Sequence, residues 1–501
     1  MIDLTIPKFI ELIPDYVISI AEDLQAAGFE AYLVGGSIRD VLLGKIPTDY
    51  DIATNAYPED IQNIFQKTVP TGAKFGTIIV VSENEQGERF DVEVTTYRSD
   101  ADYVGGRWPT KVEFTKTIEE DLARRDFTIN AIALDLQNFD ESDVNIQEIL
   151  VDPYNGISDL ENKVIKAVRD PLERFTEDGL RAVRACRLAA QLEFEIESTT
   201  FEAMKQTNHI TKQISVERFR DELMKLLMKS PKPSVGLRLM KDAGILALFI
   251  PELLEGIDVT QPEYHVEDVF EHSLKTCDAA EDSIKVAALF HDIGKPRTMS
   301  KDDKGTHFYG HDQKGAEITK EIMQRLKFPN AEIERTVKLV RWHMFYYPSG
   351  DWRKENLGAA NVAPEDHYLE SEISGDSTDS SALGWTDGAI RRLIMNVGGE
   401  DAIDDLFKLR IADATSNPKA PFNPKEIDAL ASRVARVRAE EMALKVTDLD
   451  INGHDLTEIG VEGGKQMGEI LNQLLEMVID DPMLNKKETL LEKAKELKVK
   501  S

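Results

Sequence analysis

A chain of 501 residues, 42% hydrophobic and 30% charged, has globular composition, holds several packed units, and cannot be disordered throughout. Its two cysteines, Cys186 and Cys277, exclude a disulfide framework and suit a reducing compartment, and its longest apolar run, Ala243–Ile250, is far short of the roughly 20 residues a membrane span needs. A formal net charge of -31 argues against broad non-specific affinity for nucleic acid, which needs clustered Lys and Arg.

The opening Met1-Ile2-Asp3-Leu4 carries no basic segment and no signal-like apolar core, so a soluble cytoplasmic protein with no membrane partner is expected. Pro7 to Ala27 reads as a helix, with Leu12, Ile18, Ile20 and Leu24 at its apolar positions. Ala31–Val34 reads as a short strand that stops at Gly35-Gly36, and Ser37 is the expected N-cap of a helix running to Leu43. Thr77–Ser82 and Phe90–Tyr97 read as a hairpin turning near Gly87. After Asp170-Pro171 the strand signals fade, and the pattern is helical to about Phe345. Residues 349–384 are rich in Ser, Gly, Asp and Glu without periodicity and read as a mobile acidic insertion. Helical signals resume at Trp385, and Gln466–Val478 and Lys487–Leu497 are the last strong amphipathic segments. Charge is uneven along the chain. Residues 1–150 carry 12 basic against 28 acidic side chains, residues 151–250 carry 16 against 15, and residues 251–501 carry 32 against 48. The central stretch is therefore the expected place for a polyanion.

Two constellations carry chemistry. In the first, a strand ends at Gly35-Gly36-Ser37, a helix follows with Arg39 near its start, and Asp49-Tyr50-Asp51 comes next. Glycines there let the backbone approach a ligand closely, and a helix N-terminus offers free N–H groups to phosphate. Arg39 adds a charge-assisted contact to phosphate. Residues two apart on an extended strand project from one face, so Asp49 and Asp51 together suit Mg²⁺ held against a triphosphate.

This segment resembles the signature of class II nucleotidyltransferases, the family of tRNA CCA-adding enzymes and bacterial poly(A) polymerases. Further blocks agree in order: Arg124-Arg125-Asp126-Phe127-Thr128-Ile129-Asn130-Ala131, Asp152-Pro153, and Arg174-Phe175-Thr176-Glu177-Asp178 followed by Arg181, Arg184 and Arg187. The resemblance implies that Gly36, Arg39 and Arg125 contact the nucleotide and that Asp49 and Asp51 bind the catalytic metals. A third carboxylate would come from the Phe90–Glu93 strand. Glu93 is the candidate, and the residues themselves do not separate it from Asp91. The resemblance further implies that Asp178 and Arg181 select the nucleotide by bonding to the edges that C and A share. Asp178, Arg181 and Arg184 are spaced as neighbours on a helix, while Arg187 should point away and serve phosphate or structure, and Arg184 and Arg187 are counted with the expected nucleotide-binding residues. Tyr103–Pro109, with Arg107 between glycines and Trp108, corresponds to the loop that such enzymes need to switch from C to A.

The second constellation is histidine-rich, with His265, His272, His291, His307, His311 and His343 among the nine histidines of the chain. Glu271-His272 and His291-Asp292-Ile293-Gly294-Lys295 resemble the HD metal-dependent phosphohydrolase superfamily. That resemblance implies a divalent metal on His272, His291, Asp292 and Asp413, with His311 and His343 matching members that hold two metals. Imidazole with carboxylate suits a transition metal. His265 and His307 are left as ordinary histidines.

The expected fold is α+β: a small mixed-sheet head followed by an elongated all-α neck and body containing an HD domain. The expected divisions are a catalytic head at 1–150, a helical neck at 151–250, an HD domain at 251–430 and a helical tail at 431–501. The expected reaction is addition of C, C and A to the 3′ end of tRNA from CTP and ATP, releasing pyrophosphate. Mg²⁺ is expected in the head, with no stable protein partner. An A-adding enzyme, a poly(A) polymerase or a chiefly hydrolytic HD protein are the alternatives.

Overall fold

The computed structural model describes residues 12–83, 87–104, 108–137, 149–261, 267–303, 305–344, 387–398, 400–417, 424–439 and 445–500. The chain divides into two compact units, Met1–Pro251 and Glu252–Ser501.

The first unit is built on a seven-stranded sheet in the order β3-β4-β5-β2-β1-β8-β9. Its strands are β1 (Tyr32–Val34), β2 (Asp51–Thr54), β3 (Thr68–Gly72), β4 (Thr77–Glu83), β5 (Arg89–Thr96), β8 (Ala133–Asp135) and β9 (Leu150–Val151). Between β5 and β8 run β6 (Arg98–Val104) and β7 (Trp108–Phe114), which pair only with each other. The sheet is mixed, since β2 runs parallel to β5 while β1 is antiparallel to β2 and to β8. Alternation decides which face is which: Val92 and Val94 of β5 are buried, whereas Asp91 and Glu93 point to solvent. Helix α1 (Asp15–Ala26) buries Val17, Ile20, Ala21 and Leu24, one stripe at helical spacing.

The hairpin expected from Thr77 to Tyr97 forms as β4 and β5. Of the helix expected from Pro7 to Ala27, the structure shows Asp15–Ala26 as one helix with Pro14 at its N-cap. Ser37 requires a correction. Helix α2 spans Gly36–Leu42, Gly35 occupies the N-cap position with no side-chain cap, and the Ser37 hydroxyl instead donates back to the Val34 carbonyl at 2.6 Å.

Helices complete this unit. Helix α3 (Pro171–Glu177) starts with proline at its first position and is capped by Asp170, which accepts from the Leu172 and Glu173 amides. Helix α4 (Leu180–Leu192) packs against α5 (Val216–Lys229) and α6 (Pro233–Asp242).

In the second unit, α7 (Val269–Ala279), α8 (Lys285–Phe290), α9 (His311–Arg325), α10 (Asn330–Trp342) and α11 (Glu400–Ser416) form a helical bundle. Its core includes Ala287, Ala288, Leu339, Ile403, Leu406 and Leu409. A small hairpin, Ser300–Asp302 against Gly305–His307, was not anticipated in this helical stretch. Two last helices, Lys465–Asp480 and Lys487–Lys500, pack around Leu474, Val478 and Leu490. The acidic insertion at 349–384 and Trp385 lie outside the described residues, and among the described residues no helix is long and apolar enough to cross a membrane.

Candidate functional site

Strand pairing assembles the carboxylates of the first unit. Val34, the last residue of β1, pairs with Asp51, and Asp51 pairs with Glu93 across the parallel β2–β5 ladder. Asp49 precedes β2 rather than lying on it, so the strand begins two residues too late to carry both aspartates as expected. The three acids are nonetheless electrostatic neighbours. Burial foremost, then the like charges of Glu93 and Asp49, push the Asp51 carboxyl up to about 6, with the Arg125 guanidinium acting in the opposite direction. Three carboxylates gathered at one place are a donor set suited to a hard divalent cation. Register separates the two acids of β5: Glu93 sits beside Asp51, while Asp91 is ion-paired to Arg89 at 2.8 Å.

Gly35 is the pivot of this site. Its φ of +74° disfavours any side chain, and a Cβ there would lie 3.0 Å from Arg125 Nη1 and 3.2 Å from Asp51 Oδ2. Arg125 is steadied by Asp121 at 3.1 Å, and its Nε is buried without a hydrogen bond. Arg39, buried near the start of α2, pairs with Asp40 and donates from Nη1 to Asn130 Oδ1 at 2.9 Å. Asn130 in turn donates to Asp126 at 3.1 Å. Burial alone would raise the Asp126 carboxyl, but the Arg184 guanidinium at 2.7 Å and the Asn130 amide hold it well below the usual range.

The block expected to select the nucleotide looks different from its sequence spacing. The helix breaks at Asp178, which has extended backbone between α3 and α4, so Asp178 and Arg181 are not neighbours on one helix. Asp178 is gripped by both arms of Arg218, at 3.1 and 2.6 Å. Arg181 meets Glu177 at 2.5 Å and donates to the carbonyls of Arg174 and Arg124, both at 2.9 Å. These bonds account for three of its five N–H groups. Arg184 is held by Asp126, and Arg187 is buried against Glu222 at 2.6 Å and Gln191 at 2.7 Å. Sequence reading missed Arg218, 40 residues beyond Asp178, and Glu222 on the same helix, and gave Asn130 of the second block no role. Arg107 and the loop tip around it lie outside the described residues.

In the second unit, four histidines converge on Asp292. His272 and His291 place Nε2 at 3.6 and 3.2 Å from Asp292 Oδ2, and His311 and His343 place Nε2 at 3.6 Å from Asp292 Oδ1. Asp413, on α11, meets His272 at 3.0 Å and His291 at 3.8 Å. The imidazoles are oriented from behind. The Nδ1 atoms of His291, His311 and His343 bond to the Ala288, Phe308 and Val340 carbonyls at 2.8, 2.8 and 2.7 Å. With Nδ1 carrying the proton, each Nε2 lone pair faces inward, the arrangement of metal-ligating histidines. Burial keeps His311 neutral by pushing its pKa down to about 3. The His291 Nε2 is buried without a hydrogen bond of good geometry, as a donor atom awaiting a cation would be. Two groups with ligand atoms within 4.8 Å of one another result, His272-His291-Asp292 and Asp292-His311-His343, sharing Asp292. Lys295 also reaches Asp292, at 2.7 Å, and sequence reading gave it no part. His307 lies apart, bonded to Asp302 at 2.8 Å, and His265 falls outside the described residues.

Comparison with known proteins agrees in order along the chain. Residues 31–166 match the Poly A polymerase head domain, and 193–256 match the probable RNA and SrmB-binding site of polymerase A. Residues 263–372 match the HD domain, and 423–494 match a putative tRNA nucleotidyltransferase domain 2. The CCA-adding enzyme of Ligilactobacillus salivarius is 32% identical over 97% of this chain and 98% of its own length. That of Streptococcus suis is 47% identical over 47% of this chain, and the match spans about half, 54%, of its own length. Among solved structures, the Bacillus stearothermophilus CCA-adding enzyme in complex with CTP superposes with a TM-score of 0.65 at 24% identity, covering 97% of this chain and 98% of its own.

Proposed function

The chain belongs to the CCA-adding enzyme family, and from that premise we propose that it adds C, C and A to the 3′ end of tRNA from CTP and ATP, releasing pyrophosphate. The observation that carries this reading is the meeting of Asp49, Asp51 and Glu93 beside Gly35 and Arg125. Nucleotidyltransferase and HD domains use divalent metals. In the head these three carboxylates would hold Mg²⁺, which neutralises the triphosphate and lowers the pKa of the attacking hydroxyl. Arg39 and Arg125 bind and orient phosphate oxygens, and the open backbone at Gly35 and Gly36 lets the triphosphate lie close to α2. Asp178 and Arg181 read the base edge. Their present partners, Arg218 and Glu177, keep both side chains extended and oriented until a base arrives. Arg184 and Arg187 act structurally, through Asp126 and Glu222.

Incubation with tRNA lacking CCA, CC or A, with each nucleoside triphosphate alone and together, tests the reading. Failure to add C to the fully truncated tRNA would leave an A-adding enzyme or a poly(A) polymerase.

The inward-facing histidines favour a second activity, metal-dependent phosphoester hydrolysis by the HD centre. His272, His291, Asp292 and Asp413 would hold one divalent cation, and His311 and His343 with Asp292 a second, a donor set suited to a transition metal. Hydrolysis of cyclic or monoester phosphates by the protein with Mn²⁺, lost on His291→Ala, is the expected result.

A further inference from the structure

Beside Asp49 lies a cavity of about 360 Å³ lined by Tyr16, Thr48, Asp49, Tyr50, Arg89, Phe90 and Asp91. Its walls are aromatic and acidic. Tyr16, on α1, stacks on Phe90, on β5, with ring centroids 4.4 Å apart and planes 16° apart, and both rings remain partly open to solvent. Tyr50 meets Tyr16 edge-on at 6.2 Å and is fixed by its hydroxyl to the Leu12 carbonyl at 2.8 Å. Asp49 and Asp91 outnumber the single cation, Arg89, which is already paired with Asp91. Such a lining repels a triphosphate and welcomes a neutral nucleoside, whose base stacks on an aromatic face and whose hydroxyls find carboxylate acceptors. The parallel register supports the placement. The ladder begins where Asp51 pairs with Glu93, and Asp49, just ahead of it in the chain, lines the cavity together with Asp91. The cavity therefore opens directly beside the carboxylate cluster.

We propose that this cavity seats the 3′-terminal nucleoside of the acceptor RNA, with its base continuing the Tyr16–Phe90 stack and its ribose hydroxyl turned toward Asp49. The incoming nucleotide then lies against Arg39 and Arg125 and the acceptor in the aromatic cavity that Asp49 lines. Tyr16 and Phe90 are binding and positioning residues and take no part in bond making. The proposal rests on the nucleotide-adding reading above, and its test separates the two.

Addition of CMP to tRNA lacking CCA is measured while RNA and CTP are varied independently. Absence of addition by the unaltered protein would refute the nucleotide-adding reading itself. With that activity present, Tyr16→Ala should raise the KM for RNA about tenfold, the loss of one stacked base, and leave the KM for CTP unchanged. Tyr16→Phe should retain the unaltered values, since the ring and not the hydroxyl does the stacking. An unchanged KM for RNA in Tyr16→Ala, or a rise confined to CTP, would overturn the proposal. A second measurement needs no variant: an acceptor RNA ending in 5-iodocytidine, irradiated on the unaltered protein, should crosslink to the segments holding Tyr16 and Phe90. Crosslinks confined to other segments would also overturn it.

Discussion

At the scale of single residues, the sharpest demand is at Gly35. Its φ of +74° and ψ of -136° lie where L-residues are strained, at a cost of about 1–3 kcal/mol, and a methyl group there would press on Arg125 and Asp51. Gly35→Ala should therefore lower stability by about 1–3 kcal/mol and cut CMP addition at least about tenfold, because Arg125 and Asp51 must move apart. Thermal unfolding and a single-turnover assay would read the two effects separately, and full activity would mean that the site tolerates their displacement. Base selection makes the second prediction. Asp178→Ala removes an acceptor for the amine that C and A share, and each buried polar group left unpaired costs about 1–3 kcal/mol. CTP and ATP should lose about one to two orders of magnitude in efficiency while UTP loses much less, so the CTP:UTP ratio should fall. An unchanged ratio would place base reading elsewhere. Arg218, left without its carboxylate in this variant, remains a quarter exposed and can turn to water.

At the scale of elements, what was legible depended on whether the signal was local. Alternating valines marked β5 and its hairpin partner, and Gly35-Gly36 marked the end of β1, because each pattern is set within a few residues. Helical spacing misled at Asp178 for a tertiary reason. A Cβ on Gly179 would lie 2.7 Å from the Thr211 backbone, so close approach of another segment fixes the break between α3 and α4. No sequence window shows that contact. Nor could one show that Arg184 and Arg187 spend their charge on Asp126 and Glu222, which lie 58 and 35 residues away. This network yields a pH prediction. Burial would raise the Glu222 carboxyl, but Arg187 and Arg184 lower it, so its folded pKa lies below its unfolded value of about 4.3. A depressed carboxyl stabilises the fold above the unfolded value, and that contribution fades as pH falls through the folded one. Glu222→Gln should thus cost about 2–3 kcal/mol at pH 7, toward the low end for breaking a buried pair because the amide still accepts a hydrogen bond. The gap between variant and unaltered protein should narrow as pH drops below about 4. Urea unfolding at neutral and acid pH measures it, and a gap independent of pH would show that the pair contributes no charge stabilisation.

At the scale of the whole molecule, the chain carries two acid-rich centres of different chemistry in two separate compact units. The head offers only oxygen donors, Asp49, Asp51 and Glu93, whereas the second unit offers four imidazoles around two aspartates. Hard Mg²⁺ suits the first and a softer divalent ion the second, so the two should load independently. Asp292 belongs to both groups of ligands in the second unit, while His343 belongs to one. This asymmetry makes the stoichiometry informative. Protein equilibrated with Mn²⁺ and desalted should retain about two ions per chain, one for each of the two groups of ligands that share Asp292. His343→Ala should retain about one, and Asp292→Ala none, because the ligand shared by both groups is gone and Asp413 alone remains as a carboxylate beside His272 and His291. All three proteins, supplied with Mg²⁺, should add CMP to truncated tRNA at the same rate, since none of the altered side chains lies in the unit that holds the nucleotide site. Metal analysis against protein concentration reads the first expectation and the addition assay the second. Equal metal content in His343→Ala and Asp292→Ala would show that the four histidines act as one site rather than two sharing Asp292.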